Sequence, residues 1–308
     1  MALTLPFRLI DLAGRMAFRL NKMPSLDDPT AVPQDVRRAQ QPMRRVLGPR
    51  PTGVRSEDRE VPGRDGPLPV RIYTTEAPSG RALLYIHGGG FMVGGIDACD
   101  HICVDLAALT NDVIVSVDYR LAPEDPFPAG LDDCEDALHW LRVAGLPGVD
   151  VERIAVGGDS AGGNLSAALA LRERDLGCGS LSKQVLIYPM LDLTCSLDSW
   201  ISEGSPYLAV DRVRAAMSGY HGTTDVKDPY VSPLHAPDLR KLPPALVLVA
   251  QHDTLREDGV EYAAALLAAG VPTALSVYPR MPHAWMSWPR LTKQYRRSLQ
   301  EIAAFLAT

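Results

Sequence analysis

Seven short apolar runs, separated by helical patterns, most constrain what this chain can fold into. Val70–Tyr73, Ala82–Ile86, Val113–Val117, Ile154–Val156, Val185–Tyr188, Ala245–Val249 and Ala274–Tyr278 are β-branched or apolar, and most are bounded by Gly, Pro or Asp. Between them, helical patterns run over Cys99–Leu109, Leu131–Val143, Ala161–Leu176, Glu257–Ala269 and Leu291–Leu306, with Gly270 as a helix stop. Strands too apolar to face water, alternating with helices, predict an α/β fold with a mostly parallel sheet covered on both faces. The chain has 308 residues, 46% of them hydrophobic, enough for one large core and a subdomain.

Two regions break the alternation. Leu3–Met23 is apolar but interrupted by Arg8, Asp11, Arg15 and Arg19 at near-helical spacing. It reads as an amphipathic helix that packs over protein, with contact to a lipid surface as the alternative, and it lacks the continuous apolar stretch of a secretory signal. Pro24–Pro69 reads as connecting structure, with a short helix around Asp35–Val46 and an edge strand near Val54–Glu60. The second region, Leu191 to about Tyr230, lies between two strands and carries a helical pattern from Pro206 to Tyr220. Ligands of doubly wound folds bind beyond the carboxyl ends of the strands, so an excursion leaving from that edge is placed to form a lid. The expected division is therefore a core of residues 51–190 and 231–308, capped by segments 1–50 and 191–230. An ordinary long crossover is the alternative for the second segment.

Composition removes several classes of function. The net charge of −6 is mild and no basic run tracks phosphates, which argues against a nucleic-acid partner. Cys99, Cys103, Cys134, Cys178 and Cys195 are scattered without a C-x-x-C pair. They predict free thiols in a reducing compartment, hence a cytoplasmic protein, and no metal site. No run of about 20 apolar residues is present to span a membrane.

The chemistry is concentrated in two loops. Gly158-Asp159-Ser160-Ala161-Gly162 follows a strand and precedes a helix, and the small neighbours permit a sharp turn that makes the Ser160 hydroxyl project. His87-Gly88-Gly89-Gly90 follows the strand Ala82–Ile86. Three glycines in a row are either a flexible turn or an oxyanion hole. In the second case the N–H groups of Gly88 and Gly89, with that of Ala161, meet a developing alkoxide. A serine nucleophile needs a base and an orienting acid, expected later in the chain in the order acid, histidine. Of seven histidines, only His252 and His283 closely follow late core strands. Asp253 stands just past one strand and His283 just past the next. This predicts Ser160 as nucleophile, His283 as general base and acid, and Asp253 as its orienting carboxylate. Asp258 and Glu257 are weaker candidates because they fall inside the following helix, and His252 is turned away if Asp253 points inward.

These residues resemble the hormone-sensitive-lipase-like, or bacterial family IV, carboxylesterases of the α/β-hydrolase superfamily. The resemblance rests on His87-Gly88-Gly89-Gly90-Phe91, Asp118-Tyr119-Arg120-Leu121-Ala122-Pro123-Glu124 and Gly158-Asp159-Ser160-Ala161-Gly162-Gly163. It continues through Tyr188-Pro189, Ser232-Pro233-Leu234 and Leu242-Pro243-Pro244-Ala245-Leu246, and spans about residue 65 to the C-terminus. It implies an eight-stranded, mostly parallel sheet with one early antiparallel strand, a helical cap, and homodimers formed through an edge strand. It implies hydrolysis of small esters with short- to medium-chain acyl groups through an acyl-enzyme, with no cofactor, no metal and no membrane insertion. Arg120 and Glu124 are then structural support. Asp159, Phe91, Trp200, Tyr207 and Trp285 are candidates for contact with substrate, with core packing the alternative for the cap aromatics. Two departures stand out: Asp253-Thr254-Leu255 where the family often has Asp-Pro-Leu, and His283-Ala284-Trp285 where it usually has His-Gly-Phe. The bulkier Ala284-Trp285 is expected to narrow the pocket. Plant gibberellin receptors resemble the same family but lack the catalytic histidine, so His283 speaks against a pure receptor; an amidase remains open on the same triad.

Overall fold

The inner strands send alternate side chains into two separate cores, and that alternation positions everything else. Leu84, Ile86, Val115, Val117, Val156 and Val247 enter one core. Their neighbours Leu83, Tyr85, Ile114, Ala155, Leu246 and Leu248 enter the other. Side chains two residues apart share a face, so a strand that is apolar throughout must be covered on both.

The computed structural model describes residues 3–8, 34, 38, 47, 49–178, 181–202 and 210–308. Eight strands, β1 (Arg55–Gly63), β2 (Gly66–Thr74), β3 (Gly80–Ile86), β4 (Val113–Val117), β5 (Val149–Asp159), β6 (Gln184–Ile187), β7 (Ala245–His252) and β8 (Thr273–Pro282), form one sheet. Their order is β1-β2-β4-β3-β5-β6-β7-β8. β2 runs antiparallel to both neighbours and the pairs from β4 to β8 are parallel. Among the described residues from β1 onward the α-helices are α1 (Ile96–Thr110), α2 (Ala129–Ala144), α3 (Ala161–Leu176), α4 (Asp198–Ser202), α5 (Val210–His221), α6 (Arg256–Ala268) and α7 (Gln294–Ala307). Buried residues of α2, α3 and α6 join the first core, and those of α1 and α7 join the second. The sheet is therefore the α/β architecture expected from the alternation.

β4 and α3 lie at the expected boundaries, and Gly270, at φ +79°, stands just past α6. β5 and β8 are longer than their apolar runs. The early residues of β5 and much of β8 are exposed, so no burial pattern marks them in the sequence. α4 was not foreseen; five residues are too few for a helical period to register. Residues 5–8 are helical, whereas the rest of the Leu3–Met23 expectation, most of Asp35–Val46 and residues 206–209 of the Pro206–Tyr220 pattern lie outside the described residues. Among the described residues no helix is long and apolar enough to cross a membrane.

Leu84, fully buried on the central strand β3, is a sensitive reporter of this packing. Leu84→Ala is expected to cost about 2–5 kcal/mol, read as a lower urea midpoint with an unchanged denaturant slope.

Candidate active site

The turn between β5 and α3 is made possible by β3 passing directly beneath it. A Cβ on Gly162 would lie 2.0 Å from the Ile86 carbonyl oxygen, and one on Gly158 would lie 2.3 Å from the same atom. Only glycine permits that approach. Ser160, between them, takes φ 56° and ψ −117°, a strained conformation for a residue with a side chain. Its N–H donates to the Ile187 carbonyl at 2.9 Å, and its own carbonyl accepts from Asn164 and Met190 at 3.1 and 3.2 Å. The apex is thus held from β6 and from the segment after it.

β7 and β8 deliver the other two groups to the same edge. His283 Nδ1 lies 2.8 Å from Asp253 Oδ2, and Nε2 lies 3.0 Å from Ser160 Oγ. Because a carboxylate only accepts, the proton is on Nδ1 and Nε2 is free to take the serine proton. Asp253 is almost wholly buried, and its second oxygen accepts the Leu255 amide at 2.9 Å, which fixes its rotation. The ring of Tyr188 meets the His283 imidazole edge-on at 4.8 Å. The competing carboxylates are committed elsewhere. Asp258 accepts the Leu191 and Asp192 amides and the Trp200 indole at 2.8, 2.9 and 2.9 Å, and burial pushes its pKa up to about 8 against these donors. Glu257 accepts the Ser199 amide at 2.7 Å. Of the other histidines, His101 bonds the Met286 carbonyl, His221 the Thr224 carbonyl and His235 the Asp192 carboxylate.

The glycine loop requires one correction. Gly88 N–H does not face the serine; it donates to Asp159 Oδ1 at 3.1 Å, a neighbour that sequence order does not reveal. The amides of Gly89, Gly90 and Ala161 have no acceptor among the described residues. Gly89 has φ +128°, and a Cβ there would lie 1.9 Å from the Val93 carbonyl oxygen. The turn is closed by the Met92 and Val93 amides donating to the Gly89 carbonyl at 3.1 and 3.0 Å. His87 underpins the loop: its Nδ1 donates to the Gly88 carbonyl at 2.8 Å, and its ring stacks on Tyr119 at 4.3 Å. Burial holds its pKa down at about 4.

Most of the expected substrate contacts are structural instead. Asp159 faces the protein, where Oδ1 accepts both Gly88 N–H and the Tyr85 hydroxyl. Phe91 is buried and stacks on Tyr220 of α5 at 3.6 Å. Trp200 and Trp285 are fully buried, their indoles bonded to Asp258 and to Ser298 Oγ. Trp285 also stacks on Tyr278, so it fills the core and does not narrow a pocket. Tyr207 lies outside the described residues. Arg120 is support as expected, paired with Asp133 at 2.9 Å and Asp65 at 3.0 Å. Three groups gave no sequence signal of the contacts they make. Tyr85 and Tyr188 read as strand apolars, and Asn164, whose side chain donates to the Met190 and Val231 carbonyls, lies within a small-residue run.

The chain is similar to known ester hydrolases. The profile of an alpha/beta hydrolase fold family matches residues 83–287. Carboxylesterase NlhH of Mycobacterium tuberculosis is 42% identical over 245 residues, covering 76% of each chain. An ethyl acetate hydrolase of Pseudomonas putida is 40% identical over 240 residues, covering 74% of this chain and 75% of its own. An ester hydrolase from the Lake Arreo metagenome, solved with a bipyridine phosphonate derivative, superposes with a TM-score of 0.88 at 34% identity, covering 99% of this chain and 98% of that one.

The buried imidazole of His87 makes stability depend on pH. The unfolded chain binds a proton there near pH 6.5, whereas the folded protein resists it until about pH 4. Stability is therefore retained above pH 6.5 and falls by about 3 kcal/mol as pH drops to 4. His87→Phe, which keeps a ring against Tyr119, is expected to remove this component of the acid slope in urea titrations between pH 4 and 7.

Proposed function

The chain belongs to the hormone-sensitive-lipase-like branch of the α/β-hydrolase family and is a carboxylic ester hydrolase; on that premise we propose that Ser160, His283 and Asp253 are its catalytic triad and that it hydrolyses esters of short- to medium-chain acids. The observation that carries the reading is the unbroken line from Asp253 Oδ2 through His283 to Ser160 Oγ, at 2.8 and 3.0 Å.

His283 Nε2 takes the hydroxyl proton as Ser160 Oγ attacks the ester carbonyl, and Asp253 stabilises the imidazolium that forms. The carbonyl oxygen becomes an oxyanion, met by the N–H groups of Ala161, Gly89 and Gly90, which have no other acceptor among the described residues. His283 then protonates the departing alcohol, leaving Ser160 acylated. Water, deprotonated by the same imidazole, attacks the acyl-enzyme; the bond to Ser160 Oγ breaks, His283 returns the proton to that oxygen, and the acid is released. The described part of the excursion after β6 caps this site, a reading supported by the stack of Tyr220 in α5 on Phe91 of the glycine loop. The likeness to an ethyl acetate hydrolase supports a preference for small esters.

Hydrolysis of p-nitrophenyl esters from acetyl to palmitoyl tests the reading. Turnover is expected to peak at short or medium chains and to vanish in Ser160→Ala. Asp253→Asn is expected to lower kcat by about 10⁴-fold, because the wrong tautomer is favoured. Peak rates on the longest chains would make the protein a lipase.

A further inference from the structure

Asp159 sits one residue before the nucleophile yet performs none of the proposed steps. Its carboxylate lies beneath the glycine loop: Oδ1 accepts Gly88 N–H at 3.1 Å and the Tyr85 hydroxyl at 3.0 Å. The loop lies flat against this group. A Cβ on Gly88 would stand 2.6 Å from Asp159 Oδ2 and 2.7 Å from the Asp159 carbonyl oxygen. Tyr85 is fully buried within β3, and its hydroxyl holds the carboxyl as the carboxyl holds Gly88.

We propose that Asp159 is a positioning residue that pins Gly88 through its carboxyl oxygen and thereby aims the next two amides, those of Gly89 and Gly90, at the oxyanion. The proposal rests on the esterase reading above. Its geometric basis is that Gly88 is the first residue of the loop after His87. The bond to Gly88 N–H fixes the plane before this residue and the His87 bond to its carbonyl fixes the plane after it, which carries the Gly89 N–H, so together they hold Gly88 in one conformation; donors stabilise an oxyanion only when aimed at where it forms. The useful property of Asp159 is its acceptor oxygen and not its charge. A full negative charge close to the oxyanion would oppose the charge that the donors stabilise. Burial raises the Asp159 pKa, which favours the neutral form, while the Tyr85 hydroxyl and the Gly88 amide pull it back.

The test compares wild type, Asp159→Ala, Asp159→Asn and Tyr85→Phe on p-nitrophenyl acetate. An aryl trifluoromethyl ketone, whose hemiketal with Ser160 carries an oxyanion, serves as a second probe. Folding of each variant is checked by thermal unfolding. Asp159→Ala is expected to lose about 100-fold in kcat, the scale of a misaimed reacting group. Its KM should stay within about threefold, and ketone binding should weaken by the same factor as kcat/KM, as both read transition-state contacts. Asparagine, which keeps the acceptor without the charge, should recover most of the lost kcat. Tyr85→Phe, which loosens the carboxyl, should lower kcat about tenfold at constant KM on the same argument. A folded Asp159→Ala with wild-type kcat, or an Asp159→Asn as poor as the alanine variant, overturns the proposal. Should Asp159→Ala not fold, the asparagine and Tyr85→Phe variants decide: wild-type kcat in Tyr85→Phe, or a 100-fold loss in Asp159→Asn, overturns it. Absence of Ser160-dependent turnover in the wild type would instead defeat the esterase reading.

Discussion

The close passage of β3 under the turn at Ser160 is the contact on which the rest of the site depends. The Ile86 carbonyl occupies the space that a side chain at Gly158 or Gly162 would need. The chain leaving Ile86 becomes the glycine loop itself. One strand end therefore supports the turn at Ser160 and supplies the amides beside it, so the distance between the two is set by sheet packing and not by loop flexibility. β5 and β6 share in the same device, since the Ser160 N–H is satisfied by the Ile187 carbonyl.

The acid side of the site is held by a second set of contacts, which also ties down the excursion after β6. Ser199 N–H donates to Glu257, the Glu257 amide donates back to Ser199 Oγ, and the Ser199 hydroxyl donates to the Thr254 carbonyl next to Asp253. Beside it, Asp258 gathers two main-chain amides of the excursion and the Trp200 indole. Buried polar groups are tolerated only when paired, so this arrangement fixes α4 on α6 and keeps the turn carrying Asp253 in one shape. A helix too short to be visible in the sequence is therefore part of what steadies the Asp253 carboxylate.

Legibility tracked periodicity and burial. The inner strands β3, β4, β6 and β7 are readable because both faces are buried and the residues are mostly apolar. The exposed part of β5 and the edge strand β8 carry no such signal. Ser160, Asp253 and His283 were readable because the order of the chain places each just past a strand of one parallel sheet. Trp200 and Trp285 were not, because an aromatic near a site in sequence can turn either toward it or into the core. Here Ser298 and Asp258 offer their indoles buried acceptors. Gly88 is hard to tell from its neighbours for a related reason: three adjacent glycines look alike until Asp159 is seen beneath the first.

The sequence by itself determined the alternating α/β architecture, the serine at a strand-to-helix turn, and the acid and histidine on successive late strands. These follow from local periodicity and chain order, which residue types express directly. Only the tertiary structure decided which amides of the glycine loop remain unpaired, and that Phe91, Trp200 and Trp285 pack the core instead of lining a pocket. Those outcomes depend on the aim of single N–H and C–O bonds between segments far apart in the chain, and such directions exist only once the sheet has brought those segments together.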